Sequence, residues 1–165
     1  MKLLKNIYFS IGAMVVLIMV SSCSESLEPK PQTYSQLLTG TESKTWRLTT
    51  IELVEGDSPP YTFNLPACIS DDLYTFYAGS SKLYQVTEGA TKCDPDDEDI
   101  VVEDTWALVN ANATLNFIFP LLANVRLPFI VKRLTETNLV IEIYFDEDDE
   151  GNSSSYRMTF TSPRT

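Results

Sequence analysis

Between Cys68 and Cys93 the chain holds two short runs of alternating aromatic and β-branched residues, 73–77 and 83–87, separated by the small polar turn Ala78-Gly79-Ser80-Ser81. Alternation of this kind places every second side chain on one face of a strand, and the turn is short enough to fold one run back against the other. The stretch therefore predicts a β-hairpin with Phe76 opposite Tyr84 and Tyr74 opposite Val86. One cysteine lies outside each run, at the open end of the hairpin and one residue out of its register, a difference that a bulge or a loose end absorbs. A Cys68–Cys93 disulfide is expected, closing a loop of about 25 residues and worth about 3.5 kcal/mol in the chain-entropy description. Two free thiols are the alternative.

The rest of the chain extends the same pattern. Strands are predicted over 45–54, 104–110, 114–119, 128–134, 138–145 and 155–161, which with the hairpin makes eight. In the first, Trp46 and Leu48 share one face while Ile51 and Leu53 share the other, so a bulge or sharp bend is expected near Thr49 and Thr50. Pro128 has no N–H to donate and is expected at a strand end or edge. Ahead of the strands, Thr33, Gln36 and Gly40 predict a short helical turn with a capping box at its start and a glycine stop. Eight strands with short connections suggest an all-β, antiparallel up-and-down meander that closes into a small barrel. Two packed four-stranded sheets account for the alternation equally well.

The first 22 residues have a different character. Lys2 and Lys5 precede an apolar run over 7–20, which ends in Val20-Ser21-Ser22-Cys23. A basic start, an apolar middle and small residues at the end form a secretory leader. The run is shorter than the roughly 20 residues a membrane span needs. The last four residues resemble the lipobox of bacterial lipoproteins. That resemblance implies cleavage before Cys23, a diacylglycerol on its sulfur, and anchoring by several acyl chains such as palmitate. Residues 23–32 then form a tether stiffened by Pro29 and Pro31, and 33–165 form the folded domain. Ser24 differs from the Asp that often holds lipoproteins at the inner membrane, and Glu25 and Glu28 resemble the acidic tags of some exported lipoproteins. The expected location is the cell envelope at the outer membrane, facing either the periplasm or the outside.

Several features of the domain, in order, resemble the small lipocalin-like, calycin-type lipoproteins of bacterial envelopes. They are Leu38-Thr39-Gly40 before Trp46-Arg47-Leu48, Cys68 followed by Asp71-Asp72, Cys93, Thr105-Trp106-Ala107-Leu108, and Leu134-Thr135 before Asn138-Leu139. The resemblance covers roughly 37–161. It implies an eight-stranded barrel and an arginine of the last strand, Arg157, packed over Trp46.

Charge and residue types narrow the function. The net charge is −11, with 23 acidic residues against 12 basic, and two of the basic residues fall in the leader. So acidic a body repels nucleic-acid phosphates. The chain has no histidine, which removes His-based triads and His–metal sites. It also lacks a Gly-x-Ser-x-Gly motif, a phosphate loop and a Cys/His dyad, so no enzymatic activity, cofactor or metal is expected. The acidic run from Asp146 to Gly151 begins like a calcium loop, but the twelfth position falls on Arg157 where glutamate is required. It and the run from Asp94 to Asp99 read as solvated loops that discourage edge pairing. Paired carboxylates for glycoside hydrolysis need a fixed separation of about 5 to 9 Å, which crowded loop acids do not supply. The aromatic residues Trp46, Tyr74, Tyr84, Trp106, Phe117 and Tyr156 either line a pocket for a small hydrophobic or amphipathic ligand or fill the core. In the second case the domain would dock another envelope protein.

Overall fold

The computed structural model describes residues 33–122, 124–147 and 153–163. The expected leader and tether, with Cys23, and the loop positions Asp148, Asp149, Glu150 and Gly151 lie outside the described residues.

Helix α1 (Tyr34–Thr39) is one and a half turns long and is held by its ends. The Thr33 hydroxyl accepts from the Gln36 N–H at 3.2 Å, and the Gln36 side chain accepts from the Thr33 N–H at 3.1 Å. Gly40 ends it at φ +65°, a conformation that favours glycine. The remaining elements are β1 (Ser43–Glu55), β2 (Tyr61–Thr62), the single turn α2 (Ala67–Ser70), β3 (Leu73–Tyr77), β4 (Leu83–Thr87), β5 (Ile100–Thr105), β6 (Ala107–Val109), β7 (Thr114–Ile118), β8 (Arg126–Leu134), β9 (Asn138–Glu147) and β10 (Ser153–Thr161).

All the strands join one antiparallel sheet, so the two-sheet alternative is overturned. Nine strands follow one another in the order β5-β4-β3-β1-β10-β9-β8-β7-β6, and β2 adds to β1 alone. This path is a nearly closed barrel. The strand count differs from the expected eight because the predicted strand over 104–110 begins earlier, at Ile100, and is divided at Trp106. Its first part pairs with β4 and its second with β7. Trp106 leaves both ladders at this point. Its backbone N–H donates to the Lys82 carbonyl at 2.8 Å, and its indole N–H donates to the Tyr77 carbonyl at 3.0 Å.

The hairpin has the expected register, with Phe76 opposite Tyr84 and Tyr74 opposite Val86. In β1 the register against β10 slips between Leu48 and Thr50. The extra residue reverses the side-chain phase. Leu48 then pairs with Phe160, and Ile51 and Leu53 pair with Met158 and Tyr156, so both apolar sets of β1 face the interior. Pro128 lies inside β8, opposite Asn116 of β7, rather than at its end. The pairing of β8 with β9 begins only at Ile130, so Pro128 occupies a stretch whose second side is an edge.

The connections alternate between two ends. At one end α1 covers the barrel with its own Leu38, and Leu38 and Trp46 of β1 are both fully buried. The Trp46 indole N–H donates to the Leu38 carbonyl at 2.9 Å. Lys44, not Arg157, lies over the Trp46 ring, 4.6 Å from its centre. Its ammonium donates to the carbonyls of Leu37 and Glu136. Arg157 alternates with the inward residues Tyr156 and Met158 and so points out, where its Nε donates to Glu142 at 2.9 Å. The expectation that Arg157 covers Trp46 is thereby corrected.

Candidate functional site

The strand alternation drives one aromatic set into the middle of the barrel. Tyr74, Tyr84, Trp106 and Phe117 are buried there, joined by Phe76, Phe119, Phe129 and Phe160, and Trp46 is buried at the α1 end. The rings touch edge to face and tilted: Phe117 lies 4.8 Å from Phe129 and 5.2 Å from Tyr84, and Phe76 lies 4.7 Å from Tyr84. Five of the six aromatic residues singled out in the sequence therefore form packed core.

The sixth, Tyr156, stands apart. It lies near the start of β10, at the barrel end opposite α1. It lines an apolar cleft of about 260 Å³ together with Ile51, Phe63, Leu65, Leu121 and Leu122. Two irregular segments complete this wall. The first follows β1: β2 pairs Tyr61 with Leu53, and the Phe63 N–H donates to the Ile51 carbonyl at 2.9 Å. The second follows β7, where the Leu122 N–H donates to the Phe119 carbonyl at 3.1 Å. An aromatic ladder rims the opening. Tyr61 meets Phe63 edge-on at 5.2 Å, Phe63 approaches Tyr156 at 6.1 Å, and Phe145 stacks on Tyr156 at 4.6 Å. Tyr61 and Phe145 are 64% and 52% exposed.

Five cleft residues were missed by the sequence reading. Phe63 and Leu65 lie in a loop marked as irregular by its prolines, and Leu121 and Leu122 follow the proline that ends a strand. The alternation of Tyr61, Phe63 and Leu65 was the one available clue that this loop runs along the sheet.

The disulfide joins Cys68 of α2 to Cys93, with the Cα atoms 5.0 Å apart. It ties the cleft-bearing loop to the segment between β4 and β5. Beside it lies an acidic corner. Asp71 accepts the Thr91 N–H at 2.9 Å. A side chain at Gly89 would place its Cβ 2.3 Å from the Asp71 carboxyl carbon, so only glycine allows this approach. Asp72 is buried and directed inward with Tyr74. Burial, then the Glu88 carboxylate, push its pKa up to about 6, with Asp71 adding to the rise and a Gly89 N–H opposing it. Burial also raises the Tyr74 and Tyr84 hydroxyls above the ordinary tyrosine value. Among the described residues, no group of three acidic or cysteine side chains is arranged to hold a metal ion.

No family model matches the chain, and no curated protein matches its sequence.

Proposed function

We propose that this chain is a lipid-anchored envelope lipoprotein, held through Cys23, whose lipocalin-like barrel binds a small hydrophobic or amphipathic ligand at its open end without catalysis. The observation that carries the reading is the apolar cleft of Ile51, Phe63, Leu65, Leu121, Leu122 and Tyr156. Ligand sites are concave and mostly apolar, commonly of about 300–1,000 Å³. This cleft lies just below that range and above a filled core. Its occupant is accordingly a ring or part of an acyl chain seated at the mouth, not a ligand swallowed by the barrel. The leader grammar and the net charge of −11 support an envelope location and argue against nucleic acid as a partner.

The test is native mass spectrometry of the full chain in detergent after exposure to envelope lipid extract. A stoichiometric adduct is expected, and Leu121→Glu, which places a charge at the rim of the cleft, is expected to abolish it. An adduct that persists unchanged in that variant, or no adduct at all, counts against the reading.

A second reading is favoured by the exposure of Tyr61 and Phe145. Aromatic residues at a rim over a packed core suit a docking face for another envelope protein. Under this reading Tyr61→Ser abolishes recovery of a crosslinked protein partner while the lipid extract leaves the mass unchanged.

A further inference from the structure

The β3–β4 hairpin carries a second feature, separate from the apolar cleft. Among the described residues seven buried side-chain oxygens lack a hydrogen-bond partner, and five belong to this hairpin and its flanks: Asp71 Oδ1, Asp72 Oδ1, Glu88 Oε2 and the hydroxyls of Tyr74 and Tyr84. Buried polar groups are almost always partnered, so such a concentration needs a partner that these residues do not supply. Asp72 is 7% exposed and Tyr74 is fully buried, so neither can turn to bulk water. Three of the five groups are carboxylates, and among the described residues none of the three forms an ion pair. Three carboxyl groups crowded together without an ion pair are a setting that a cation would neutralise.

The surroundings indicate which kind. Glu88 also lines an open cleft of about 340 Å³ with Asp97, Glu98, Ile100 and Val101. Three carboxylates thus lie there beside two aliphatic side chains. The corner already holds one ammonium, that of Lys92, but it is committed to Asp99 at 2.7 Å and to the Asp97 carbonyl at 2.6 Å. A metal ion fits poorly, since no three of these groups converge as ligands. We propose that this corner binds an aliphatic amine in its ammonium form: one ammonium between Asp72 and Glu88, the methylene chain along Ile100 and Val101, and a second ammonium against Asp97 and Glu98. The Tyr74 hydroxyl, close enough for the Asp72 charge to act on it, can accept from the ammonium or donate to the carboxylate. Burial is the main cause that raises Asp72, and repulsion from Glu88 and Asp71 adds to it; a bound cation relieves the repulsion. This site does not depend on the apolar cleft.

The test is isothermal titration of the full chain in detergent with spermidine, 1,5-diaminopentane and, separately, calcium chloride. Both amines are expected to bind saturably at one site and to raise the melting temperature by mass action. Asp72→Asn and Glu88→Gln are each expected to weaken binding about tenfold, while Glu55→Gln and Leu121→Glu leave it unchanged. General attraction of a polycation to an acidic protein would show no such dependence on position. If the two inner variants do not fold, Glu98→Gln on the open wall still has to weaken spermidine by about threefold or more. Unsaturable binding, equal affinity in all variants, or calcium displacing the amines as the tighter ligand overturns the proposal.

Discussion

Phe117 is surrounded by the rings of Phe76, Tyr84, Phe119 and Phe129, with centroids 4.8 to 6.3 Å away. Those neighbours come from four different strands or their ends, and their backbones are fixed by the sheet. They cannot collapse far into a void. Phe117→Ala is therefore expected to cost about 3–5 kcal/mol, read as a fall in the urea midpoint at unchanged slope; a loss under about 1 kcal/mol would mean that the core is looser than its packing implies. Asp72 makes the pH dependence of stability unusual for a carboxylate. In the folded chain it keeps its proton up to about pH 6, against an ordinary value of 3.8. Between those values the folded state binds more protons than the unfolded one, so this residue's contribution to stability falls as pH rises through the window. Asp71, Glu88 and the Tyr74 hydroxyl are the groups that face it. Glu142 has the opposite sign. Burial raises its pKa, but hydrogen bonds from Arg157, Tyr144 and Ser155 together outweigh burial and hold it below the ordinary value. Its contribution is present at neutral pH and lost in acid. Urea midpoints of wild type and Asp72→Asn from pH 4 to pH 7 separate the two. The variant is expected to gain most at pH 7 and little at pH 4, and parallel curves would exclude Asp72 as the source.

At the scale of elements, the disulfide closes the segment that the sheet holds least well. Between β1 and β3 the regular elements are only the two-residue β2 and the single turn α2, and between β4 and β5 there is none. Cys68 and Cys93 join these two segments at a separation of 25 residues. Reduction under conditions that leave the fold intact is expected to destabilise it by about 3.5 kcal/mol. A melting temperature that does not change on verified reduction would assign the ordering of this end to packing alone. Much of the sheet was legible in the sequence, because residues with period two and one buried face leave a plain trace. The hairpin register, the α1 capping box and the β1 bulge all follow from that trace and from local chemistry. Three things were less legible. Division of a strand at Trp106 depends on a hydrogen bond to Lys82, far from it in sequence. The partner of Arg157, Glu142, stands on the neighbouring strand and leaves no local trace. The cleft arises where two irregular segments meet over the barrel mouth, and periodicity carries no information about such a meeting.

The whole molecule has two unlike ends. The α1 end is sealed by Leu38, Trp46 and Lys44, and the other end carries the cleft, the aromatic rim, the disulfide and the acidic corner. A lipid on Cys23 would leave about nine residues before Thr33, and an extended, proline-bearing spacer of that length spans at most about 3.1–3.6 Å per residue. On the proposed reading the domain would stand within about 30 Å of the membrane surface, close enough to exchange an apolar ligand with lipid yet repelled by anionic headgroups through its excess of 21 acidic over 9 basic residues. This arrangement depends on the lipid, which makes Cys23 the decisive residue. Cells expressing the wild-type chain and fed radiolabelled palmitate are expected to yield a labelled protein whose leader has been removed. Cys23→Ser is expected to take up no label and to keep its leader, because processing at a lipobox follows attachment of the lipid. Membrane fractionation alone would mislead, since an unprocessed leader also holds the chain at the membrane. An unlabelled wild type, or equal labelling of the variant, would remove the lipid anchor and with it the proximity that makes a membrane-derived ligand reasonable.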